Sequence, residues 1–175
     1  LEKVPRVAIY SPKNKQPWDD AVTLALTYAE IPYDIIYDEE VLNNLLPLYD
    51  WLHLHHEDFT GQLGKFFRSY KNADWYREHQ ARDEARTKEW GFGSVSELKK
   101  TVALEISKYV EKGGFLFAMC SGTDSYDIAL SAIGVDIVAS PFDGDPPDPT
   151  AQQKLNFTRT LAFKDFALQL LGRLL

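Results

Sequence analysis

The chain has 175 residues and a net charge of −7, with 45% hydrophobic and 26% charged residues. This is the composition of an ordinary globular protein, and the length is most simply one domain, residues 1–175. The acidic balance excludes nucleic acid and anionic membranes as main partners because both would repel the chain, and no run of about 18 apolar residues is present that could span a membrane.

The single cysteine and the first residue bear on disulfide bonding, on processing of the chain and on its compartment. One cysteine excludes an intramolecular disulfide, and no signal peptide is visible. Because the chain begins with Leu1 rather than Met, we expect a processed product or a piece of a longer protein, whose other domains would be partners. We expect a soluble protein that is either cytoplasmic or, after removal of an export signal, periplasmic.

The first part of the chain predicts strands that alternate with helices. Residues 6–11, 33–37 and 49–56 are short apolar runs typical of strands. Apolar side chains recur at helical spacing over residues 17–29, and a short helical turn is expected within residues 42–48. Strands that alternate with helices indicate a parallel sheet with crossover helices.

A charged segment at about residues 62–92 interrupts this alternation. Its many charged residues indicate one or two inserted surface helices with a solvated face, and its aromatic residues are expected to dock on the body of the protein. The alternative is a lid or a specificity element over a site.

The last part of the chain predicts helices and strands around the cysteine. A capping-box pattern at residues 94–97 begins a helix that Gly113 ends. An apolar strand then runs to Cys120, and another helix follows it. Two more strands are predicted at residues 135–138 and 155–163. We therefore predict an α/β fold: a flavodoxin-like three-layer sandwich with a mostly parallel sheet of five or more strands and helices on both faces.

The segment around Cys120 predicts a sharp turn between a strand and a helix. Two glycines precede the apolar run, and small residues follow the cysteine. This is the shape of a nucleophile elbow, in which a thiol near a helix N-terminus gains thiolate character. Ser121 and Gly122 in the turn, together with Gly61, are the predicted oxyanion and binding residues. The alternative is a buried cysteine that only packs in the core.

Histidines supply the predicted partner of the thiol. A flavodoxin-like order makes the third and fourth strands neighbours, and sites lie beyond the carboxyl ends of such strands. His55 and His56 are then expected beside Cys120, where either could accept and return the thiol proton. Strand alternation places His53 with His55 on one face, and His56 either on the opposite face or already in the loop. We interpret His53 as a hydrogen-bonded core histidine, and Glu57 as a group that orients a histidine or contacts the thiol.

Other kinds of site have less support in the sequence. His53, His55 and Glu57 form an alternative metal-binding set with nitrogen and oxygen ligands, whereas the favoured prediction involves neither a metal nor a cofactor. The Gly-x-Ser-x-Gly, Walker and dinucleotide-binding glycine motifs are absent.

Two segments together resemble class I glutamine amidotransferase-like domains: residues 117–124 around the cysteine and residues 51–61 around the histidines. More narrowly, they resemble a bacterial group often labelled asparagine synthetase B-like, over residues 4 to about 166. The resemblance implies a flavodoxin-like sandwich and an elbow cysteine. In true amidotransferases that cysteine attacks the side-chain amide of glutamine, forms a thioester, releases ammonia and is freed by water.

The chain departs from the family pattern in two places. The family has its histidine and glutamate near the C-terminus as His-x-Glu, whereas no histidine follows His79 here, and Ala118 stands where the family has glycine. No ATP-dependent synthetase domain is present in these residues. Two functions therefore compete. One is a cysteine-dependent amide hydrolase with a small-molecule substrate. The other is a non-catalytic domain that binds a small molecule or a partner and has lost the Cys-His-Glu triad.

Overall fold

A computed structural model of the chain describes residues 4–13, 20–62, 67 and 69–169. The chain divides into two compact units. The first unit comprises the described residues of Leu1–Glu57 and Glu105–Thr123, and the second unit comprises those of Asp58–Leu104 and Asp124–Leu175. The division into compact units does not test the expectation of one domain with an inserted segment, which stays a prediction.

The first unit contains a sheet of four parallel strands. They are β1 (Val7–Tyr10), β2 (Tyr33–Ile36), β3 (Trp51–Leu54) and β4 (Phe115–Ala118), in the order β2-β1-β3-β4. The predicted adjacency of the third and fourth strands is confirmed, with His53 in register with Phe117. The prediction of five or more strands is wrong for the described residues, where the sheet has four.

One helix of the first unit packs on the sheet through apolar side chains. The helices before β3 are α1 (Ala21–Tyr28) and α2 (Asp38–Leu42), followed by a 3₁₀ turn at Leu46–Leu48. Leu26 of α1 packs against Val7 and Ile9, which alternation along β1 places on the same face of the sheet. The first predicted residues of this helix, Pro17 and Trp18, lie outside the described residues.

The edge strand β4 carries exposed aromatic side chains. Phe115 and Phe117 are 57% and 46% exposed, and their ring centroids lie 6.1 and 6.5 Å from that of Trp51 in edge-to-face geometry. In the described part of the chain β4 pairs with β3 alone. The sheet therefore ends at β4, where the prediction had placed further strands.

Helices dominate the rest of the chain. They are α3 (Asp74–Glu89), α4 (Val95–Glu111), α5 (Ser121–Ser131), α6 (Ser140–Asp143) and α7 (Ala151–Lys154), followed by a 3₁₀ turn at Phe157–Arg159. One of the two hydrogen bonds of the predicted capping box of α4 is present. Ser94 Oγ accepts the Glu97 N–H at 3.1 Å, whereas the Glu97 carboxylate accepts the N–H of Gly93 at 2.8 Å rather than that of Ser94. Across the described ranges, no helix is both long and apolar enough to cross a bilayer.

The charged segment forms the surface helix α3, as predicted. Most of its charged side chains are exposed, whereas Tyr76 is buried. The ring of Phe67 contacts those of Tyr76 and Phe142, with centroids 6.4 and 4.9 Å apart. The prediction that the aromatic residues dock on the body is confirmed for these side chains, and the lid alternative stays a hypothesis.

Residues 135–138 do not form the predicted fifth strand. The side chain of Asp136 accepts the N–H of Val138 at 2.9 Å, and the Asp136 carbonyl accepts the N–H of Asp148 at 3.1 Å. Such local side-chain bonds compete with strand pairing. The apolar residues of this segment instead join a core cluster of the second unit: Ala132, Val135, Ile137 and Ala151.

Residues 155–163 do not form a strand either. Asn156 Oδ1 accepts the N–H of Thr158 at 3.0 Å, which favours a 3₁₀ turn at that point. Beyond the turn, the buried carboxylate of Asp127 accepts three consecutive backbone N–H groups at 2.6 to 2.9 Å. These donors belong to Leu161, Ala162 and Phe163. The alternating apolar pattern was misleading because a side chain takes the N–H groups that a strand would need.

Candidate active site

Cys120 lies at the predicted sharp turn between β4 and α5. The strand ends at Ala118 and the helix begins at Ser121. Between them Cys120 has a φ of 53°, in the left-handed region that side chains other than glycine rarely adopt. Its side chain is exposed. The alternative of a cysteine buried in core packing is therefore wrong, and the elbow geometry is present.

The elbow is tied to the end of β3 by three hydrogen bonds. The N–H of Met119 donates to Leu54 O at 3.0 Å and that of Gly122 to His55 O at 2.8 Å, and Ser121 Oγ donates to His56 O at 2.8 Å. A Cβ on Gly122 would lie 3.0 Å from that His55 oxygen, which is tighter than an ordinary contact, so a larger residue would require the neighbouring backbone to shift. The Gly122 N–H is thus used to hold the turn, while the oxyanion role of Ser121 stays a prediction.

His53 lies in the core of the first unit. Its side chain is buried, and its ring stacks on that of Phe117 with centroids 5.5 Å apart. Neither ring nitrogen has a hydrogen-bond partner within the described residues, so the core location is confirmed but the expected hydrogen bond is not found. Burial, reinforced by the neighbouring His55, lowers the pKa of His53 and favours the neutral ring.

His55 and His56 lie together, not on opposite faces. Their rings stack with centroids 3.6 Å apart, while the ring of His53 is 6.0 Å from that of His55. The strand β3 ends at Leu54, so the expectation that His56 lies already in the loop is confirmed and the one that places it on the opposite face is wrong. Beyond the strand end, both imidazoles reach the same place.

Asp20 is the functional candidate that the sequence analysis missed. Its Oδ1 caps α1 by accepting the N–H groups of Val22 and Thr23, at 2.7 and 3.2 Å. Its Oδ2 lies 3.2 Å from Nδ1 of His55. Because a carboxylate can only accept, Nδ1 of His55 must carry the proton, which leaves Nε2 as the basic nitrogen.

The charge of Asp20 is stabilised by its partners. Burial alone would raise the pKa of this carboxyl group, but the hydrogen bonds from His55 and from the backbone of Thr23 and Val22 outweigh burial and lower it. Asp20 therefore stays ionised, and it can hold the imidazole of His55 in one orientation and tautomer.

Glu57 contacts His55 at the backbone. Its Oε2 accepts the His55 N–H at 3.3 Å. The imidazole of His55 contacts Asp20. The role of Glu57 in orienting a histidine or contacting the thiol stays a prediction.

Three potential ligands or reactive groups meet at the elbow. One ring nitrogen of His55, one of His56 and the sulfur of Cys120 all lie within 4.8 Å of one another. This is the convergence that the strand order predicted. The alternative metal set of His53, His55 and Glu57 does not form a comparable group among the residues described, since the cluster there consists of His55, His56 and Cys120.

Gly61 belongs to the second unit. It has a φ of 81°, and a Cβ there would lie 2.7 Å from the backbone of Ser96. Close approach to Ser96 therefore explains why glycine occupies this position. The predicted contribution of Gly61 to substrate binding stays a prediction.

The second unit contains a cavity of about 290 Å³. Asp83 and Ser96 are among the residues that line it, and both side chains are buried. Within the described ranges, neither oxygen of the Asp83 carboxylate accepts a hydrogen bond. Nε2 of His79 lies 3.5 Å from Asp83 Oδ2, one turn away on the same helix.

The position of Asp20 could have been inferred from topology. The segment after β1 leaves the sheet at the same edge as the carboxyl ends of β3 and β4, because all the strands are parallel. An acidic residue at a helix N-cap in that segment is therefore a candidate partner for a histidine that follows β3. Comparisons of the chain with models of protein families, with curated proteins and with solved structures found no match.

Proposed function

We propose that the chain is a cysteine-dependent amide hydrolase of the glutamine amidotransferase-like kind, with Cys120 as nucleophile and His55 as general base. The observation that carries this proposal is the left-handed turn at an exposed cysteine whose sulfur lies within 4.8 Å of a ring nitrogen of His55. Asp20 acts as a positioning residue, since its Oδ2 lies 3.2 Å from Nδ1 of His55 and leaves Nε2 as the basic nitrogen. The proposal includes a flavodoxin-like architecture, of which the order β2-β1-β3-β4 would be the first four strands.

The reaction requires no group beyond the chain, a small carboxamide and water. His55 accepts the thiol proton, and the thiolate of Cys120 attacks the amide carbon to form a C–S bond. As the tetrahedral adduct collapses, the imidazolium protonates the leaving nitrogen, the C–N bond breaks and ammonia departs. Water, deprotonated by His55, then cleaves the thioester, which releases the acid and returns the thiol.

This arrangement would differ from the pattern of the family it resembles. The base comes from the segment after β3 and its carboxylate from the N-cap of α1, whereas the family uses a C-terminal His-x-Glu pair. His56 is the alternative base because its ring belongs to the same cluster. The backbone N–H of Ser121, at the start of α5, is suited to the developing oxyanion because the helix N-terminus carries partial positive charge.

Alkylation of the thiol tests the proposal directly. We expect iodoacetamide to label Cys120 at pH 7 faster than it labels N-acetylcysteine, because a neighbouring imidazole can accept the thiol proton as the sulfur reacts. The label is located by mass spectrometry of peptides, and Cys120→Ser is the unlabelled control. A rate no higher than that of the free thiol would remove the basis for catalysis.

A non-catalytic binding domain is the second candidate. It is favoured by the lack of any histidine after His79, which deprives the chain of the family's usual base. This alternative predicts that glutamine or a related amide stabilises the protein against heat without release of ammonia. Ammonia release that Cys120→Ser abolishes would decide for the hydrolase.

A further inference from the structure

We propose that His55, His56 and Cys120 bind one divalent transition-metal ion of the Zn²⁺ type through two imidazole nitrogens and the thiolate. The site uses residues of the proposed hydrolase, but it does not depend on hydrolysis. Its consequence is regulatory, because a bound ion would occupy the sulfur and the base together.

The spacing of the three donor atoms suits such an ion. Zn–S bonds of about 2.3 Å and Zn–N bonds of about 2.0 to 2.1 Å place the donors of a tetrahedral site roughly 3.3 to 3.6 Å apart. The three donor atoms lie within 4.8 Å of one another. Small rotations of the side chains would therefore bring them to bonding distance of one ion.

The types of ligand select the class of ion. Thiolate and imidazole suit zinc, copper and nickel, whereas Mg²⁺ and Ca²⁺ prefer oxygen ligands. The thiol releases its proton on binding, so the bound ion receives one anionic and two neutral donors. We expect Zn²⁺ to bind and Mg²⁺ not to bind.

Asp20 supplies an independent argument. Histidines that bind metals commonly donate the other ring N–H to a carboxylate, which fixes the tautomer and makes the ligand more basic. Asp20 Oδ2 lies 3.2 Å from Nδ1 of His55 and would leave Nε2 for the ion. The carboxylate is itself held, since its Oδ1 accepts the N–H groups of Val22 and Thr23.

The site is accessible from solvent on one side. Cys120 is exposed, His56 is partly exposed, and His55 is buried. Three protein ligands leave a fourth tetrahedral position for water or for another ligand, as in zinc sites that are open to solvent. An ion could therefore enter at Cys120 and be removed by a chelator.

Metal titration of the untagged chain tests the site. The protein is stripped with a chelator, and Zn²⁺ binding is followed by competition with a chromogenic chelator and by elemental analysis. We expect one ion per chain. Co²⁺ should give the visible bands of a tetrahedral site and a thiolate-to-cobalt charge-transfer band. Cys120→Ser and His56→Ala should each weaken Zn²⁺ affinity at least about tenfold, and Asp20→Asn by about tenfold.

His79→Ala is the matched control, since it also removes a histidine that lies beside an aspartate. It should bind Zn²⁺ as the parent chain does. Equal affinity in the parent, Cys120→Ser and His56→Ala chains would overturn the metal site, as would a lack of Zn²⁺ binding in a parent chain that is folded by circular dichroism.

Alkylation separates this inference from the proposed function. Fast labelling of the stripped protein, slowed by Zn²⁺ and restored by a chelator, would support both. Fast labelling that Zn²⁺ does not slow would refute the metal site and leave the hydrolase. Stoichiometric Zn²⁺ binding with slow labelling of the stripped protein would refute the hydrolase and leave the metal site.

Discussion

The two units each contain an aspartate beside a histidine, and the two pairs differ in what surrounds them. In the first unit, Asp20 lies 3.2 Å from His55, which is 35 residues away in sequence. In the second unit, Asp83 lies 3.5 Å from His79, one helical turn away. Only the first pair has a cysteine sulfur in the same cluster of potential ligands. An aspartate–histidine pair therefore becomes a candidate site through the third group that the fold brings beside it.

The two carboxylates also differ in how their charge is stabilised. Asp20 accepts backbone N–H groups as well as the imidazole, and together these lower its pKa against the opposing effect of burial. Asp83 is 2% exposed, and its carboxylate accepts no hydrogen bond from the described residues. Nη1 of Arg86 lies 3.8 Å from Oδ1 of Asp83. Asp20 is held in place by directional hydrogen bonds, whereas Asp83 has only the longer contacts with His79 and Arg86, at 3.5 and 3.8 Å.

The largest expected effect follows from removing the base. His55→Gln keeps a polar side chain that can bond Asp20 but cannot accept the thiol proton. Because this variant has no imidazole at position 55 to accept the thiol proton, we expect alkylation of Cys120 to slow about tenfold. The measurement is the second-order rate with iodoacetamide at pH 7. A larger loss in His56→Gln than in His55→Gln would transfer the role of base to His56.

A smaller effect is expected when the charge of Asp20 is removed. Asparagine caps helices as well as aspartate does, so Asp20→Asn keeps the start of α1 while its amide cannot hold Nδ1 of His55 in the same tautomer. We expect alkylation to slow about fivefold. The rate is measured as for His55→Gln.

Stability measurements complete the test at Asp20. Asp20→Ala should cost about 1 kcal/mol of unfolding free energy because the cap is lost, whereas Asp20→Asn should cost less. The lowered pKa of Asp20 stabilises the parent chain above the usual carboxyl pKa, and this contribution is lost as the pH falls through the folded-state value. Asp20→Asn should lack that acid-dependent loss. An identical acid dependence in the two chains would contradict the assigned role of the charge.

The comparison extends to a buried charge of opposite sign in the second unit. Lys100 is 7% exposed, and its Nζ donates to Val135 O at 2.6 Å. Burial lowers the pKa of Lys100 to about 8, against the attraction of Asp136 and Asp143. Lys100→Met should raise the free energy of unfolding at pH 7 by about 1 kcal/mol, because the gain from removing a buried charge exceeds the lost hydrogen bond.

The pH dependence gives a second measurement at Lys100. Since the folded-state pKa lies below the ordinary value of 10.5, the parent chain should gain stability as the pH rises from about 8 toward 10.5. Lys100→Met should lose this gain. Denaturant unfolding at several pH values checks both statements, and an equal alkaline gain in the two chains would show that Lys100 is not the group responsible.

The smallest effect is expected at the other histidine. His79→Ala removes the imidazole beside Asp83 on α3. The only cysteine of the chain, Cys120, lies between β4 and α5 instead. We expect the alkylation rate of Cys120 to change less than about twofold. A loss comparable to that in His55→Gln would erase the distinction between the two pairs.

Many elements of the chain could be predicted because their signals are local. Apolar runs marked β1 to β4, helical spacing marked α1, and the pattern at Ser94 and Glu97 marked the start of α4. The predicted strands at residues 135–138 and 155–163 failed because the side chains of Asp136, Asn156 and Asp127 bond backbone N–H groups. Asp127 binds residues more than 30 positions away, which no local pattern reveals.

The location of the candidate site could be predicted from the expected order of the strands. Once β3 and β4 were expected to be neighbours, His55 and Cys120 had to share one edge of the sheet. Whether His56 lies on the opposite face of the strand or in the loop depends on where β3 ends, and this boundary at Leu54 was not predicted. Topology also brings Asp20, in the segment after β1, to this edge, but its contact with His55 at 3.2 Å depends on side-chain positions that no sequence pattern specifies.

The left-handed backbone of Cys120 has a consequence for engineering the chain. A side chain in this conformation costs on the order of 1 kcal/mol that glycine would not incur. Screening for heat tolerance alone would therefore tend to select Cys120→Gly, and the more durable protein would have no thiol. At this position, selection for thermal stability and selection for a reactive thiol favour different residues.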